Sequence, residues 1–153
     1  MASIMRFAMR INFVDVVCDG SLKNTVLDGI VTGCQFDIRL SYYRGQFLSV
    51  IDQFEVKIDG LEIAQERLSL SINERVFGFC ELKECYTEFW NILDPATVII
   101  EMPGGLAPGA YAVDVTLYFR SPYMETGPHQ YMTIDSCGSK TLPLAERQEA
   151  YNG

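Results

Sequence analysis

Twenty acidic residues and a single histidine set the limits of the chemistry this chain can do unaided. A Ser-His-Asp arrangement would have to use His129. A metal site would have to combine His129 with Glu125 or Asp135, at spacings that match no familiar ligand set. A lone histidine in a strand more often serves structure than catalysis. A glycosidase needs only two carboxylates, but with this many acidic residues the availability of a pair says little. Asp37, Asp59, Asp94 and Asp114 fall on polar strand faces or at turns, where solvated charge is the default. No GxSxG, P-loop, GxGxxG or HExxH occurs. The five cysteines, Cys18, Cys34, Cys80, Cys85 and Cys137, form no CxxC pair. Cys80 and Cys85 are spaced wrongly for a zinc knuckle, and reduced thiols in the cytoplasm are the natural expectation.

Aromatic and arginine placement is more informative. Tyr42, Tyr43, Arg44 and Gly45 fill a connection between two strands, where serine or asparagine would turn as well. Trp90, the only tryptophan, follows Phe89 in an irregular stretch, with core burial its first expectation. Arg120 and Tyr123 come just past the end of a strand. Tyrosine, tryptophan and arginine combine large rigid contact area with a polar handle, which suits partner interfaces. Arg44 is suited to pair with a carboxylate of such a partner, and Gly45 to supply a positive φ.

The elements that must position these residues repeat every two positions. Cys34, Phe36, Ile38 and Leu40 share one face of a strand, with Gln35, Asp37 and Arg39 on the other. Phe54, Val56 and Ile58 repeat the pattern before an Asp-Gly turn signal. Leu68, Leu70 and Ile72 form a third inward row, "ATVIIEM" a continuous apolar strand, and Tyr111, Val113, Val115, Leu117 and Phe119 another row. "PGGLAPG", with three glycines and two prolines, is a loop. "HQYMTID" and "SKTLPL" predict two shorter strands. The stretch 81–93 breaks the period: Leu82, Cys85, Tyr86 and Phe89 recur at helical spacing and predict a helical turn or short helix. Roughly seven to nine strands with turns between them predict an all-β, antiparallel β-sandwich, jelly-roll-like, with one short helical segment. A closed barrel is the alternative.

At 153 residues the chain is long enough for one unaided core. The expected domain covers 1–144, with a polar tail at 145–153. A net charge of −8 repels phosphate backbones, which argues against nucleic acid. No apolar run reaches the roughly 18 residues of a membrane span. Arg6 and Arg10 interrupt the apolar N-terminal stretch, so it reads as a lead-in and first strand rather than a signal peptide.

Several motifs in fixed order resemble the small β subunit of bacterial C-glycoside deglycosidases. They are Arg39 with Tyr42 to Gly45, the Ile58-Asp59-Gly60 hairpin, the acidic stretch from Glu81 to Trp90, the Gly104–Gly109 loop, and Arg120 with Tyr123. The resemblance spans roughly 29–123. Where that family often has a histidine after the glycine loop, this chain has Tyr111 and Ala112. The resemblance implies a β-sandwich that partners a larger, barrel-type α subunit similar to sugar isomerases and epimerases. That partner would hold a divalent metal, manganese, and the catalytic groups. The complex would be a lyase that cleaves the C–C bond of 3-oxo-C-glucosides of plant flavonoids and other phenolics. No catalytic, cofactor or metal residue is then expected in this chain. Tyr42, Tyr43, Arg44, Gly45, Trp90, Arg120 and Tyr123 become partner-interface candidates in a symmetric hetero-oligomer. A carbohydrate- or phenol-binding module that works alone, and a stand-alone glycosidase, are the competing readings.

Overall fold

Alternating side chains of the kind just described build two sheets with their apolar faces turned toward each other. The computed structural model describes residues 8–10, 15–42 and 44–144, apart from the side chains of 122–125. The expected tail at 145–153 lies outside the described residues, as does Tyr43.

The first sheet holds β2 (Lys23–Leu27), β3 (Ile30–Ile38), β7 (Leu68–Ile72), β8 (Arg75–Gly78) and β10 (Ala96–Glu101), in the order β2-β3-β10-β7-β8. The second holds β1 (Ala8–Arg10), β5 (Ile51–Ile58), β6 (Leu61–Glu62), β11 (Gly109–Gly127), β12 (Gln130–Asp135) and β13 (Gly138–Leu144). Its backbone is β11. One edge of β11 pairs with β5, and the other is shared, with β13 against Gly109–Val115 and β12 against Tyr118–Gly127. The pairings are antiparallel apart from β1 with β12. A small third sheet joins β4 (Gln46–Phe47) to β9 (Phe89–Trp90). The result is an all-β sandwich, as the period of two predicts.

The predicted inward rows are the core. Cys34, Phe36, Ile38, Val56, Leu70, Val98, Ile100, Val113, Leu117 and Phe119 are all fully buried. Tyr111 is the exception in its row: half-buried, it donates its hydroxyl to the Ala107 carbonyl at 2.6 Å. At the Asp59-Gly60 turn both residues have positive φ, 51° and 81°, as a two-residue hairpin requires. Asp59 also accepts the Ala112 N–H at 2.7 Å, a structural use of its carboxylate. Asp37 likewise accepts from Thr97 Oγ1, and Asp114 from Ser139.

Three expectations are adjusted. The helical turn expected within 81–93 is present, but it begins at Phe79 and ends at Glu84 rather than running on toward Leu93. It is a 3-10 helix, anchored by the Gly78 N–H on the Glu81 carboxylate, and the chain then opens into β9. Helical spacing overextends it because only Leu82 of the four residues is fully buried, while Tyr86 is 70% exposed. Two further single 3-10 turns occur, Leu48–Val50 and Gln65–Arg67. Second, β11 does not end at Arg120; it continues to Gly127 through shifts in its register with β12. An irregular pairing absorbs Pro122, which has no N–H to give to a ladder. Third, His129 is not in a strand but in the β11–β12 turn, with φ 60°.

Candidate partner interface

The strand β3 ends at Ile38 in one sheet and β5 begins at Ile51 in the other. The stretch holding Tyr42, Arg44 and Gly45 therefore belongs to a crossover between sheets, closing one end of the sandwich, and not to a hairpin tip. Two buried polar couples pin it. The Ser41 N–H donates to Ser136 Oγ at 3.1 Å, and the two serine hydroxyls lie 3.2 Å apart. Tyr42 points inward, 1% exposed, with its hydroxyl 2.8 Å from Ser121 Oγ and its ring edge-on to Phe119. A buried hydroxyl needs such a partner, which fixes where the crossover meets β11.

Gly45 is required by space, not by φ. Its φ is not in the positive region. A Cβ there would lie 2.5 Å from the Trp90 carbonyl oxygen and 2.6 Å from Phe89 Cε2. Trp90 is buried at 1% exposure and donates its indole N–H to the Asp94 carbonyl at 2.8 Å. It supports this end from beneath. On the other face of the same two-stranded sheet, Phe47 and Phe89 meet edge-on with centroids 5.0 Å apart. They remain 42% and 38% exposed, and Arg44, three positions before Phe47, is exposed too.

Polar contacts tie the neighbouring segments to this end. Asn73, with φ 53° at the β7–β8 turn, donates to the Glu88 carboxylate at 2.8 Å and the Phe89 carbonyl at 3.0 Å. Arg75 reaches Glu88 at 3.4 Å. The Leu48 N–H donates to the Glu88 carbonyl. Arg120 fastens β11 to the start of β5 and the turn before it: its Nε donates to Asp52 at 2.8 Å and its Nη2 to the Ser49 carbonyl at 3.0 Å. Burial, then the charges of Glu81 and Glu88, push the Cys85 thiol above its ordinary pKa, which disfavours the thiolate.

Of the predicted residues, the structure thus brings Tyr42, Arg44, Gly45, Trp90 and Arg120 to one end of the sandwich. Tyr42 and Trp90 face inward, while Arg44 and Arg120 reach the surface. The Tyr123 side chain lies outside what is described. Ser41, Ser121, Ser136, Phe47, Asn73 and Glu88 were not anticipated. Isolated serines look like surface residues in a sequence, and only the pairing of distant segments shows them buried. The Gly104–Gly109 loop lies at the other end: Ile38 pairs with Ala96 near the crossover, and Gly33 with Glu101 near the loop. Asn24 clamps that loop, donating to the Leu106 carbonyl and accepting its N–H, and Gly104 and Gly105 have φ of 85° and 66°.

Among the described residues, no group of three His, Cys, Asp or Glu side chains is arranged to hold a metal ion. Nor does any helix among them have the length and apolarity to cross a membrane.

Comparison with known proteins gives this arrangement a family. A family model described as the C-glycoside deglycosidase beta subunit matches residues 13–123. A C-glycoside deglycosidase beta subunit of Eubacterium cellulosolvens is 35% identical over 97 residues, 63% of this chain and 66% of that protein. The chain thus spans just under two thirds of that relative's length. A 3'-dehydrocarminate deglycosidase beta subunit of Microbacterium sp is 36% identical over 94 residues, 61% of this chain and 70% of that protein. A C-glycoside deglycosidase beta subunit of Arthrobacter globiformis is 28% identical over 103 residues, 65% of this chain and 76% of that protein. The match covers the crossover, the Phe89–Trp90 strand and the glycine loop, and on that extent the chain belongs to the C-glycoside deglycosidase beta subunit family.

Proposed function

We propose that this chain is the β subunit of a heteromeric C-glycoside deglycosidase acting in the cytoplasm. Its sandwich supports a barrel-type α subunit, which carries the divalent metal, manganese, and the catalytic groups. Among the described residues of this chain, no cluster of His, Cys, Asp or Glu side chains fits a resident metal. The substrate is a 3-oxo-C-glucoside of a plant flavonoid or other phenolic. The ketone at C3 acidifies the proton on C2, and a base of the partner removes it. The C1–aryl bond then breaks, its electron pair leaving on the aglycone carbon, which takes up a proton. The sugar departs with a new C1–C2 double bond.

One observation carries this reading: the family match extends across 13–123, through both sheets and the crossover between them. The sandwich meets its partner at the crossover end, where Arg44, Phe47 and Phe89 offer exposed cationic and aromatic surface over the buried Tyr42 and Trp90. The test is co-expression with a candidate barrel-type α subunit, each chain then being assayed alone and together on a 3-oxo-C-glucoside. Activity only from the complex supports the proposal. Cleavage by this chain alone overturns it.

A further inference from the structure

The β11–β12 hairpin and the start of β5 enclose an open groove of about 580 Å³. That lies within the range of small-molecule sites, roughly 300–1,000 Å³. Its shape follows from the register of β11. Ser121 pairs with Met132, but the next paired residue on β11 is Glu125, opposite Tyr131. The register of β11 against β12 thus shifts between Ser121 and Glu125, an irregularity of the kind that makes strands bend. Met132 and Thr133 line the groove with Asp52 and Arg120, and Thr126, Gln130 and Tyr131 come from the hairpin.

Three features of this lining select a class of ligand. The Arg120 guanidinium is held at two points, on Asp52 Oδ1 and on the Ser49 carbonyl, yet its side chain is 47% exposed. It is preorganised, so a ligand need not order it. Its charge is already balanced by Asp52, in a chain of net charge −8, so the groove has no surplus positive charge for an anion. Next to this pair lie the half-exposed ring of Tyr131 and the exposed amide and hydroxyl of Gln130 and Thr126. A guanidinium and an amide donate, a carboxylate accepts, and an aromatic face packs against C–H groups. This combination matches a neutral polyhydroxylated ring better than a carboxylate, a phosphate or an apolar molecule.

We infer that this groove is a binding site for the sugar ring of a neutral glycoside. Tyr131 stacks on the ring, while Arg120, Asp52 and Gln130 take its hydroxyls. The inference does not depend on the catalytic reading above, since it concerns the groove of this chain alone.

The test is isothermal titration of the full chain with methyl β-D-glucopyranoside, with benzoate as the anionic comparison. Tyr131→Ala and Gln130→Ala are the variants. Both residues are exposed on the hairpin, so both variants keep the fold, which circular dichroism checks. The expected result is binding of the glucoside, weakened about fivefold or more in each variant, the worth of one stacking contact or hydrogen bond. No glucoside binding by the wild-type chain overturns the inference, as does equal binding by the variants. Salt-sensitive benzoate binding tighter than glucoside binding overturns it too, by making the groove an anion site.

Discussion

The hydroxyls of Tyr42 and Ser121 lie 2.8 Å apart, and both residues are buried, at 1% and 0% exposure. They are 79 positions apart in the chain, one in the crossover between sheets and the other in β11. This contact, with the Ser41–Ser136 pair next to it, fixes the crossover on the end of the core. Tyr42→Phe leaves the Ser121 hydroxyl buried without that partner and is expected to cost about 1–3 kcal/mol. In the double variant Tyr42→Phe/Ser121→Ala neither hydroxyl remains. Urea denaturation of the two single variants and the double should therefore give a double-variant cost smaller than the sum of the singles. Simple additivity would mean that the pair does not act as a unit.

Gly45 faces a different constraint. A methyl group there meets a carbonyl oxygen of β9, which cannot swing aside, and the ring of Phe89. Gly45→Ala should therefore destabilise by about 1–3 kcal/mol through overpacking. It should also push β9 away from the crossover. Trp90 is the only tryptophan and is buried in β9, so its fluorescence reports this end specifically. A red-shifted emission in folded Gly45→Ala is the expected signature. Unchanged emission and stability would show that β9 yields without cost.

Much of the sandwich was legible in the sequence because the core is built from clean alternation. Every residue from Phe54 to Ile58 that was expected inward is buried, as are Leu68, Leu70 and Ile72. The site was legible only in part. Tyr42 and Trp90 stood out by type, but type does not say which way a side chain faces. Tyrosine suits both an interface and a buried hydrogen bond. The glycine at 45 drew a φ argument because backbone freedom is the local reason for glycine, whereas its actual reason is a strand that is distant in sequence. Ser121 and Ser136 gave no signal at all, since their burial depends on pairing across the two sheets. The continuation of β11 past Arg120 was hidden by Pro122, which reads as a strand breaker unless the ladder is irregular there.

The cysteines should separate by environment. Cys34 is fully buried in β3, and burial pushes its pKa from 9.0 up to about 11. Cys80 is exposed. A thiol reagent at mildly alkaline pH should modify Cys80 in the native chain, while Cys34 reacts only on unfolding. The same shift has a consequence for stability. Above about pH 9 the unfolded chain releases the Cys34 proton while the folded chain keeps it. Folding then loses stability as pH rises toward about 11, and none of this loss occurs below pH 9. Comparing wild type with Cys34→Ala across that window isolates the effect from other titrating groups. The gap between the two should narrow with rising pH, and a constant gap would contradict the burial-driven shift.

The proposed partner surface gives the remaining prediction. Phe47 and Phe89 lie over a layer that is already packed within the chain, with Gly45 and Trp90 beneath, and Arg44 is exposed next to Gly45 in the chain. Substitutions at the exposed layer should therefore separate from those in the buried layer. Phe47→Ala removes ring surface that is 42% exposed and not part of the core, so the isolated chain should keep its melting temperature to within a few degrees. Its affinity for the proposed α subunit should fall about tenfold or more, because aromatic and arginine side chains dominate such contacts. Arg44→Ala should lower that affinity too, with a larger effect at low ionic strength if the arginine faces a carboxylate. Titration of the partner subunit into each variant checks both, and turnover at limiting β subunit should fall in proportion to complex formed. If Arg44→Ala and Phe47→Ala leave affinity and turnover unchanged, the partner docks elsewhere, and the exposed Leu27 and Ile30 at the opposite end become the next residues to substitute.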